Sequence, residues 1–150
     1  MKKLFATVFM AVSVSISLFA QDANQTYSKA VTSFDDTFTG ASNVVWSFGE
    51  DFTKATFFQD NHRVEVFYNA AGDFVATTTQ IKLEDAPAYV KKAVEKKYSN
   101  YSVNEAFVFK ADDQTKYFIS LEDERENIVL AGNNGAVIVY SRTLHLTPEK

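Results

Sequence analysis

The chain contains no cysteine, two prolines and two histidines among its 150 residues. Without cysteine it has no disulfide framework, no thiol nucleophile and no side chain to which a lipoprotein anchor could be attached, so a packed core must hold the fold. Aromatic residues are plentiful, with 14 Phe and 7 Tyr. The sequence therefore predicts a globular domain stabilised by a phenylalanine-rich core.

Recognisable catalytic motifs are also missing. His62 and His145 have no partner at metal-ligand spacing, and the chain has no HExxH, GxSxG or phosphate-binding loop. The acidic clusters at 112–113 and 122–124 lack the spaced ligands of a calcium loop. We predict no catalytic residue, no cofactor and no metal site. Because catalytic groups can be assembled from distant residues, an enzyme built around His62 is kept as the least favoured alternative.

The N-terminus has the pattern of an export signal. Lys2 and Lys3 precede an apolar and Ser/Thr run from Leu4 to Phe19, and Ala20 supplies a small residue for cleavage. The pattern predicts a cleavable signal peptide over residues 1–20 and a periplasmic or secreted protein that is not a lipoprotein. An uncleaved membrane anchor is the alternative. After cleavage we expect no membrane span.

The exported chain, residues 21–150, is acidic. It keeps 13 basic and 19 acidic side chains, a formal net charge of −6. Such a balance offers no electrostatic footprint for nucleic acid. Its length is that of one compact domain.

In the first half of this domain the spacing of apolar residues changes once, from helical to alternating. Apolar residues at Tyr27, Val31, Phe34 and Phe38 follow helical spacing, and Gly40 ends the pattern. Alternation then predicts strands at 43–48, 53–59, 62–68 and 73–79.

The second half repeats that order. Asp85 is predicted to cap a helix and Pro87 to occupy its first turn. The apolar stripe of this helix is Val90, Ala93, Val94 and Tyr98. Strands are predicted at 102–110, 115–121, 127–131 and 136–142, followed by a short closing segment or tail.

Both halves therefore read as one helix followed by four strands. Offsets of 61, 62 and 63 residues relate three pairs: Trp46 with Phe107, Lys54 with Lys116, and Gly72 with Gly135. We predict an α+β fold of tandem αβ4 units, about 24–80 and 83–143, whose antiparallel sheet of about eight strands has helices packed on one face. Chance similarity between the strand patterns remains an alternative.

Alternation also sorts side chains between the two faces of the sheet. In the first unit the more apolar parity is predicted to lie under the helices: Val44, Trp46, Phe48, Ala55, Phe57, Val64, Val66, Phe74 and Ala76. The opposite parity is predicted to be open: Val45, Ser47, Thr56, Phe58, Glu65, Phe67, Val75 and Thr77. In the second unit the side chains of 102–110 cannot be assigned to the two faces by alternation, because Glu105 shares parity with Val103 and Phe107. A bulge would explain this.

The predicted open face carries large apolar residues among polar ones, namely Phe58, Phe67, Phe118, Ile138 and Tyr140. Such a face is a candidate surface for binding a protein or peptide partner. Self-association, a covering tail, or isolated exposed apolar residues of no functional meaning are alternatives.

Several stretches resemble secreted bacterial PepSY-like domains, also described as β-lactamase-inhibitor-protein-like (BLIP-like). They are NVVW, KATFF, VEVFYNAAGDFVATTTQI, LEDAPAYVKKAVEKKYSNYSVNEAFVF and YFISL with the later NNG turn, covering most of residues 27–143. The resemblance implies tandem αβ4 units, an exported location and, by analogy with the inhibitor that clasps its target enzyme, partner binding on the concave sheet face. That inhibitor has disulfides and this chain has no cysteine, so no inhibitory residue is carried over.

Together these observations predict an exported non-enzymatic module that engages or inhibits a protein or peptide, such as an envelope enzyme or protease. The alternative is an envelope carrier of a small hydrophobic ligand or a structural, self-associating protein. The sequence does not identify the partner or the oligomeric state.

Overall fold

The computed structural model describes residues 23–49 and 51–145, so the predicted signal peptide and the last five residues lie outside the described part. The elements follow the predicted order: α1 (Ala23–Thr37), β1 (Ser42–Phe48), β2 (Phe52–Gln59), β3 (His62–Asn69), β4 (Phe74–Ile81), a 3-10 turn (Leu83–Asp85), α2 (Ala88–Lys97), β5 (Ser102–Ala111), β6 (Gln114–Glu122), β7 (Glu126–Asn133) and β8 (Ala136–Leu144). The predicted α+β order of helix, four strands, helix, four strands is confirmed.

All eight strands form a single antiparallel sheet in the order β1 to β8. β4 and β5 lie at its centre and join the two halves, while β1 and β8 are its edges. Two-residue turns close the β2–β3 and β7–β8 hairpins. Asp60 and Asn61, and likewise Asn134 and Gly135, have positive φ, as type I′ hairpins require.

Helix α1 packs its apolar stripe on the first four strands. Ala30 and Phe34 are buried, and the Phe34 ring meets Phe57 edge to face, with centroids 5.0 Å apart. Gly40 follows the helix with φ of 102°, a conformation that side chains disfavour, so the chain turns there into β1. These contacts place α1 over the first half of the sheet.

Helix α2 packs on the second half through Val90 and Val94, which lie over Ile119 and Leu130. The predicted cap of this helix is wrong. Pro87 is the residue that precedes the first turn, and Asp85 belongs to the 3-10 turn, where its Oδ2 accepts the backbone N–H of Lys82 at 3.3 Å.

Gly132 in β7 allows α2 to approach the sheet closely. A methyl group at this position would lie 2.7 Å from Cγ2 of Val90, which is itself fully buried. We expect Gly132→Ala to lower the free energy of unfolding, measured in urea, by about 1–3 kcal/mol, since overpacking a tight core strains it. In a Val90→Ala background the same change should cost much less, because the opposing methyl group is gone. Equal costs in the two backgrounds would contradict this close packing.

A bulge in β4 reverses part of the predicted face assignment. The register against β3 slips by one residue at Val75. Ala76 therefore pairs with Phe67 on the face away from the helices, and Thr77 pairs with Val66 on the helix side. The predictions for Ala76 and Thr77 were wrong, because strict alternation fails beyond an inserted residue.

A second bulge, in β5, confirms one prediction and corrects another. The register against β6 shifts between Val103 and Glu105, which explains why this strand did not sort by parity. As a result Phe107 pairs with Phe118 on the face away from the helices, whereas Trp46 packs against α1. The proposed equivalence of Trp46 with Phe107 is therefore wrong.

Val108, the neighbour of Phe107, is the residue of the second unit that is equivalent to Trp46. Trp46 pairs with Ala55 just as Val108 pairs with Tyr117. Val108 follows Trp46 by 62 residues and Tyr117 follows Ala55 by 62, the same offset that relates Lys54 to Lys116. The two units thus share strand register across their first hairpins.

Candidate functional site

The open face is defined here as the side of the sheet opposite α1 and α2. All five residues predicted for it lie on that side: Phe58, Phe67, Phe118, Ile138 and Tyr140. Their exposure differs widely. Phe58, Ile138 and Tyr140 are 45%, 64% and 47% exposed, whereas Phe118 is only 5% exposed.

Phe118 is buried by other side chains of the open face and not by α1 or α2. Its ring stacks on Phe107 with centroids 5.2 Å apart and meets Tyr140 edge to face at 5.3 Å. Phe109 lies edge-on to it at 6.5 Å. This group, with Ile138 in the neighbouring register on β8, is called the aromatic ledge: Phe107, Phe109, Phe118, Ile138 and Tyr140.

The other two predicted residues do not join this ledge. Phe58 and Phe67 lie at the β2–β3 side of the sheet, with a charged cluster between them in register. There the Oε1 atom of Glu65 accepts Lys54 Nζ at 3.1 Å and Arg63 Nη2 at 2.7 Å. The five predicted residues therefore do not form one site: three belong to the ledge, and the charged cluster separates Phe58 from Phe67 in the other region.

Sequence reasoning missed Phe107 and Phe109, whose rings pack against Phe118 from β5. The signal was present as the FVF triplet, whose two Phe residues share parity. The bulge next to Glu105 hid which face that parity belonged to.

One end of β8 lies against an acidic hairpin, residues 122–126. Leu144 pairs with Glu126, and the backbone N–H of His145 donates to the carbonyl of Arg125 at 2.7 Å. The carboxylate of Glu126 is bound by Arg142 Nε at 3.1 Å. Within residues 23–49 and 51–145, no group of three or more His, Asp or Glu side chains is arranged to hold a metal ion.

Hydrogen bonds shift the pKa of Asp123 in this hairpin and of Tyr101, which contacts it. Backbone N–H groups of Arg125 and Glu126 donate to Asp123 Oδ1, both at 2.8 Å, and the Arg125 bond is the main cause that lowers the pKa of Asp123. The Tyr101 hydroxyl donates to Glu126 Oε1 at 2.7 Å. This bond favours the neutral phenol and raises the pKa of Tyr101 to about 12.

A second tyrosine is perturbed for a different reason. Burial under α1 raises the pKa of Tyr68 to about 12, an effect that nearby Ser33 only partly offsets. The Tyr68 hydroxyl makes no hydrogen bond of ordinary geometry to any described residue. Since no hydrogen bond of ordinary geometry compensates the burial of this hydroxyl, we expect Tyr68→Phe to leave the free energy of unfolding, measured in urea, unchanged or to raise it.

Alkaline titration tests both tyrosines. Because their folded pKa values lie above the ordinary value of 10.0, these phenols stay protonated longer in the folded state. Their contribution to stability is complete below pH 10 and is lost as the pH rises toward 12. Ultraviolet absorbance of phenolate should show two late-titrating groups in the wild type and one in Tyr101→Phe. A titration in which every tyrosine ionises near pH 10 while the fold persists would contradict this.

On the helix side, a shallow cleft of about 220 Å³ lies between the C-terminal end of α1 and the central strands. Its lining is as much apolar as polar, with Phe38 and Val64 beside His62, Thr77, Thr79 and Lys110. The Nδ1 atom of His62 lies 3.0 Å from the carbonyl oxygen of Gln80, and among the described residues no carboxylate is bonded to this ring. The arrangement lacks the base-orienting acid of a catalytic triad.

The fold is similar to that of several solved Bacteroides proteins. A "putative periplasmic" protein from Bacteroides eggerthii matches with 16% identity and a TM-score of 0.69, covering 77% of this chain and 86% of that one. A DUF2874 family protein from Bacteroides ovatus matches at 20% identity and a TM-score of 0.67, covering 77% and 85%. A BLIP-like protein from Bacteroides fragilis matches at 15% identity and 0.66, covering 81% and 88%.

No protein-family model and no curated protein matches the chain. At these identities the solved structures establish likeness of fold alone, and at that level they confirm the predicted resemblance to BLIP-like proteins. Among the described residues, neither helix is long and apolar enough to cross a membrane.

Proposed function

We propose that the protein is an exported, non-enzymatic module that binds another protein through its open face. The observation that carries this proposal is the aromatic ledge, a packed group of side chains whose members Ile138 and Tyr140 are exposed on the face that neither α1 nor α2 covers. Rigid aromatic side chains in a supported cluster are the usual anchors of protein interfaces. The similar fold of a BLIP-like protein favours an enzyme as the class of partner.

Two further observations support the exported, non-catalytic part of the proposal. The N-terminal pattern is that of a signal peptide, and one structurally similar protein is described as "putative periplasmic". No enzyme family matches the chain, and His62 lies in an open cleft without a bonded carboxylate among the described residues.

The carrier alternative has less support. A carrier of a hydrophobic molecule needs a concave, largely apolar site that buries most of its ligand. The cleft beside His62 is shallow and only half apolar, and the aromatic ledge is packed on itself rather than hollow.

Capture from an envelope extract of the source organism tests the proposal. The bait is residues 21–150, compared with Tyr140→Asp on the ledge, Phe58→Asp on the other patch and Lys96→Asp on the exposed side of α2 as a charge control. We expect one partner that Lys96→Asp retains and that one of the two open-face variants loses. The variant that loses the partner identifies which part of the open face contacts it.

A partner bound equally by all four baits would contradict binding through the open face. Native mass spectrometry of the wild-type bait addresses the alternative, since a bound lipid or metabolite in place of a protein would favour the carrier. Circular dichroism of each variant confirms that it is folded before capture is compared.

A further inference from the structure

Strand β8 is an edge with little protection. It is nine residues long, eight of them are exposed, and its outer side has no neighbouring strand among the described residues. Natural edges are commonly shielded by lysine, proline or short length. β8 contains neither lysine nor proline, and its single charge, Arg142, is bound to Glu126.

The opposite edge is shorter and more irregular. In β1 the register breaks between Ser42 and Val45, where Asn43 has a φ of 55°, and continuous pairing runs only from Val45 to Phe48. β8 is paired with β7 along its whole length, with one bulge at Tyr140. The two regular spans of β8, Ala136 to Val139 and Ser141 to Leu144, together offer a longer template for an added strand than the single span of β1.

The aromatic ledge lies directly beside this edge. Ile138 and Tyr140 point from β8 to the open face, where Tyr140 contacts Phe118, while Val137 packs toward α2 on the other side. An added strand would obtain main-chain hydrogen bonds from β8 and would lay alternate side chains next to Ile138 and Tyr140. Backbone pairing for affinity and side-chain contacts for specificity are the two components of recognition by strand addition.

Charge at the end of β8 indicates the chemistry of the added strand. The acidic hairpin supplies four carboxylates, Glu122, Asp123, Glu124 and Glu126, against Arg125 and the adjacent Arg142. An antiparallel strand would begin at the Leu144 end of β8, one strand removed from this hairpin. Four carboxylates and two arginines give this end of the sheet a charge of 2 − 4 = −2, to which a basic N-terminal end is complementary. A second copy of this chain pairing antiparallel through its own β8 would instead place its uncharged Asn134–Gly135 turn there.

We propose that β8 accepts an extended segment of another polypeptide as a ninth, antiparallel strand, with alternating apolar side chains and a lysine- or arginine-containing N-terminal end. This inference rests on the proposed function and assigns the partner's contact to β8 and the ledge rather than to the patch at Phe58.

A synthetic peptide is the direct probe. Fluorescein-labelled Lys-Lys-Thr-Val-Thr-Val-Thr-Val is titrated with residues 21–150 and compared with a peptide in which Glu-Glu replaces Lys-Lys. We expect saturable binding that is at least about tenfold tighter for the lysine peptide and weakens with added salt. Hydrogen exchange should show new protection of the β8 amides, which docking of side chains on the open face alone would not give.

The chain offers a closely matched pair of variants. Ile138 and Val45 are β-branched, each 64% exposed, on the same face and on opposite edges of the sheet. Ile138→Lys should weaken binding of the lysine peptide at least about tenfold, whereas Val45→Lys should leave it unchanged. Both substitutions are at exposed positions, and thermal unfolding verifies that each variant is folded.

Absence of saturable binding, equal binding by Ile138→Lys, or unchanged exchange at β8 would each overturn strand addition. A dimer seen by sedimentation and abolished by Ile138→Lys would also overturn it, in favour of self-pairing. If the envelope partner is captured by the wild type and still retained by Ile138→Lys, the proposed function stands and this inference alone fails. If the wild type captures nothing and binds no peptide, both fail.

Discussion

Phe57→Ala is expected to lower the free energy of unfolding by about 3–5 kcal/mol, the usual cost of truncating a fully buried aromatic residue. Phe57 has no exposed surface and lies under α1, with the rings of Phe34 and Phe38 at 5.0 and 5.2 Å. Removing its ring leaves a cavity between helix and sheet that these neighbours cannot fill. Since a small domain has only about 5–15 kcal/mol of stability, the loss should be conspicuous in a urea denaturation curve.

The adjacent residue provides the control. Phe58 is the next side chain along β2, points to the opposite face and is 45% exposed. Phe58→Ala should cost less than about 1 kcal/mol, because half of its surface is already in water. Equal losses for the two variants, or a larger loss for Phe58→Ala, would show that the helices cover the other face.

Phe118→Asp is expected to be at least as damaging, although Phe118 lies on the open face. The substitution removes a ring that is 5% exposed and packed against Phe107, Phe109 and Tyr140, and it places a carboxylate among them. Losing the ring costs about 3–5 kcal/mol, and burying an unpaired charge adds to this. We expect loss of cooperative unfolding or a severe drop in the urea midpoint.

Tyr140→Asp is the matched comparison, because Tyr140 is the neighbouring ring of the same ledge and is 47% exposed. Its carboxylate can remain in water, so the variant should unfold within about 1.5 kcal/mol of the wild type. A stable, cooperatively folding Phe118→Asp variant would mean that the ledge is loosely packed. For the same reason Phe118 is unsuitable as a binding probe, whereas Tyr140 reports on partner contact.

Local sequence determined the elements of this fold. Helical spacing from Tyr27 to Phe38 and from Val90 to Tyr98 was sufficient to locate both helices, because residues three and four apart share one side of a helix. Asn-Gly at 134–135 and Asp-Asn at 60–61 marked hairpins, since these residues tolerate positive φ. The tandem order followed from these elements alone.

Which residues share a face was predictable only where alternation is unbroken. It held along β2 and β3, so Phe57 and Phe58 were assigned to the correct sides. It failed at Ala76 and Thr77 and left Phe107 unassigned, because the bulges in β4 and β5 depend on how each strand pairs with its neighbour. The bulge in β5 left a trace in the sequence, because Glu105 breaks the alternation there, whereas the bulge in β4 left none.

The candidate site shows the same division. Parity placed Phe58, Phe67, Phe118, Ile138 and Tyr140 on one side of the sheet, and the structure does the same. Only the tertiary structure decided that Phe118 is enclosed by rings from β5 and β8, that a charged cluster separates Phe58 from Phe67, and that β8 is an edge. Periodicity is a property of one strand, whereas burial and edge position depend on strand order and register, which arise from contacts between residues far apart in the chain.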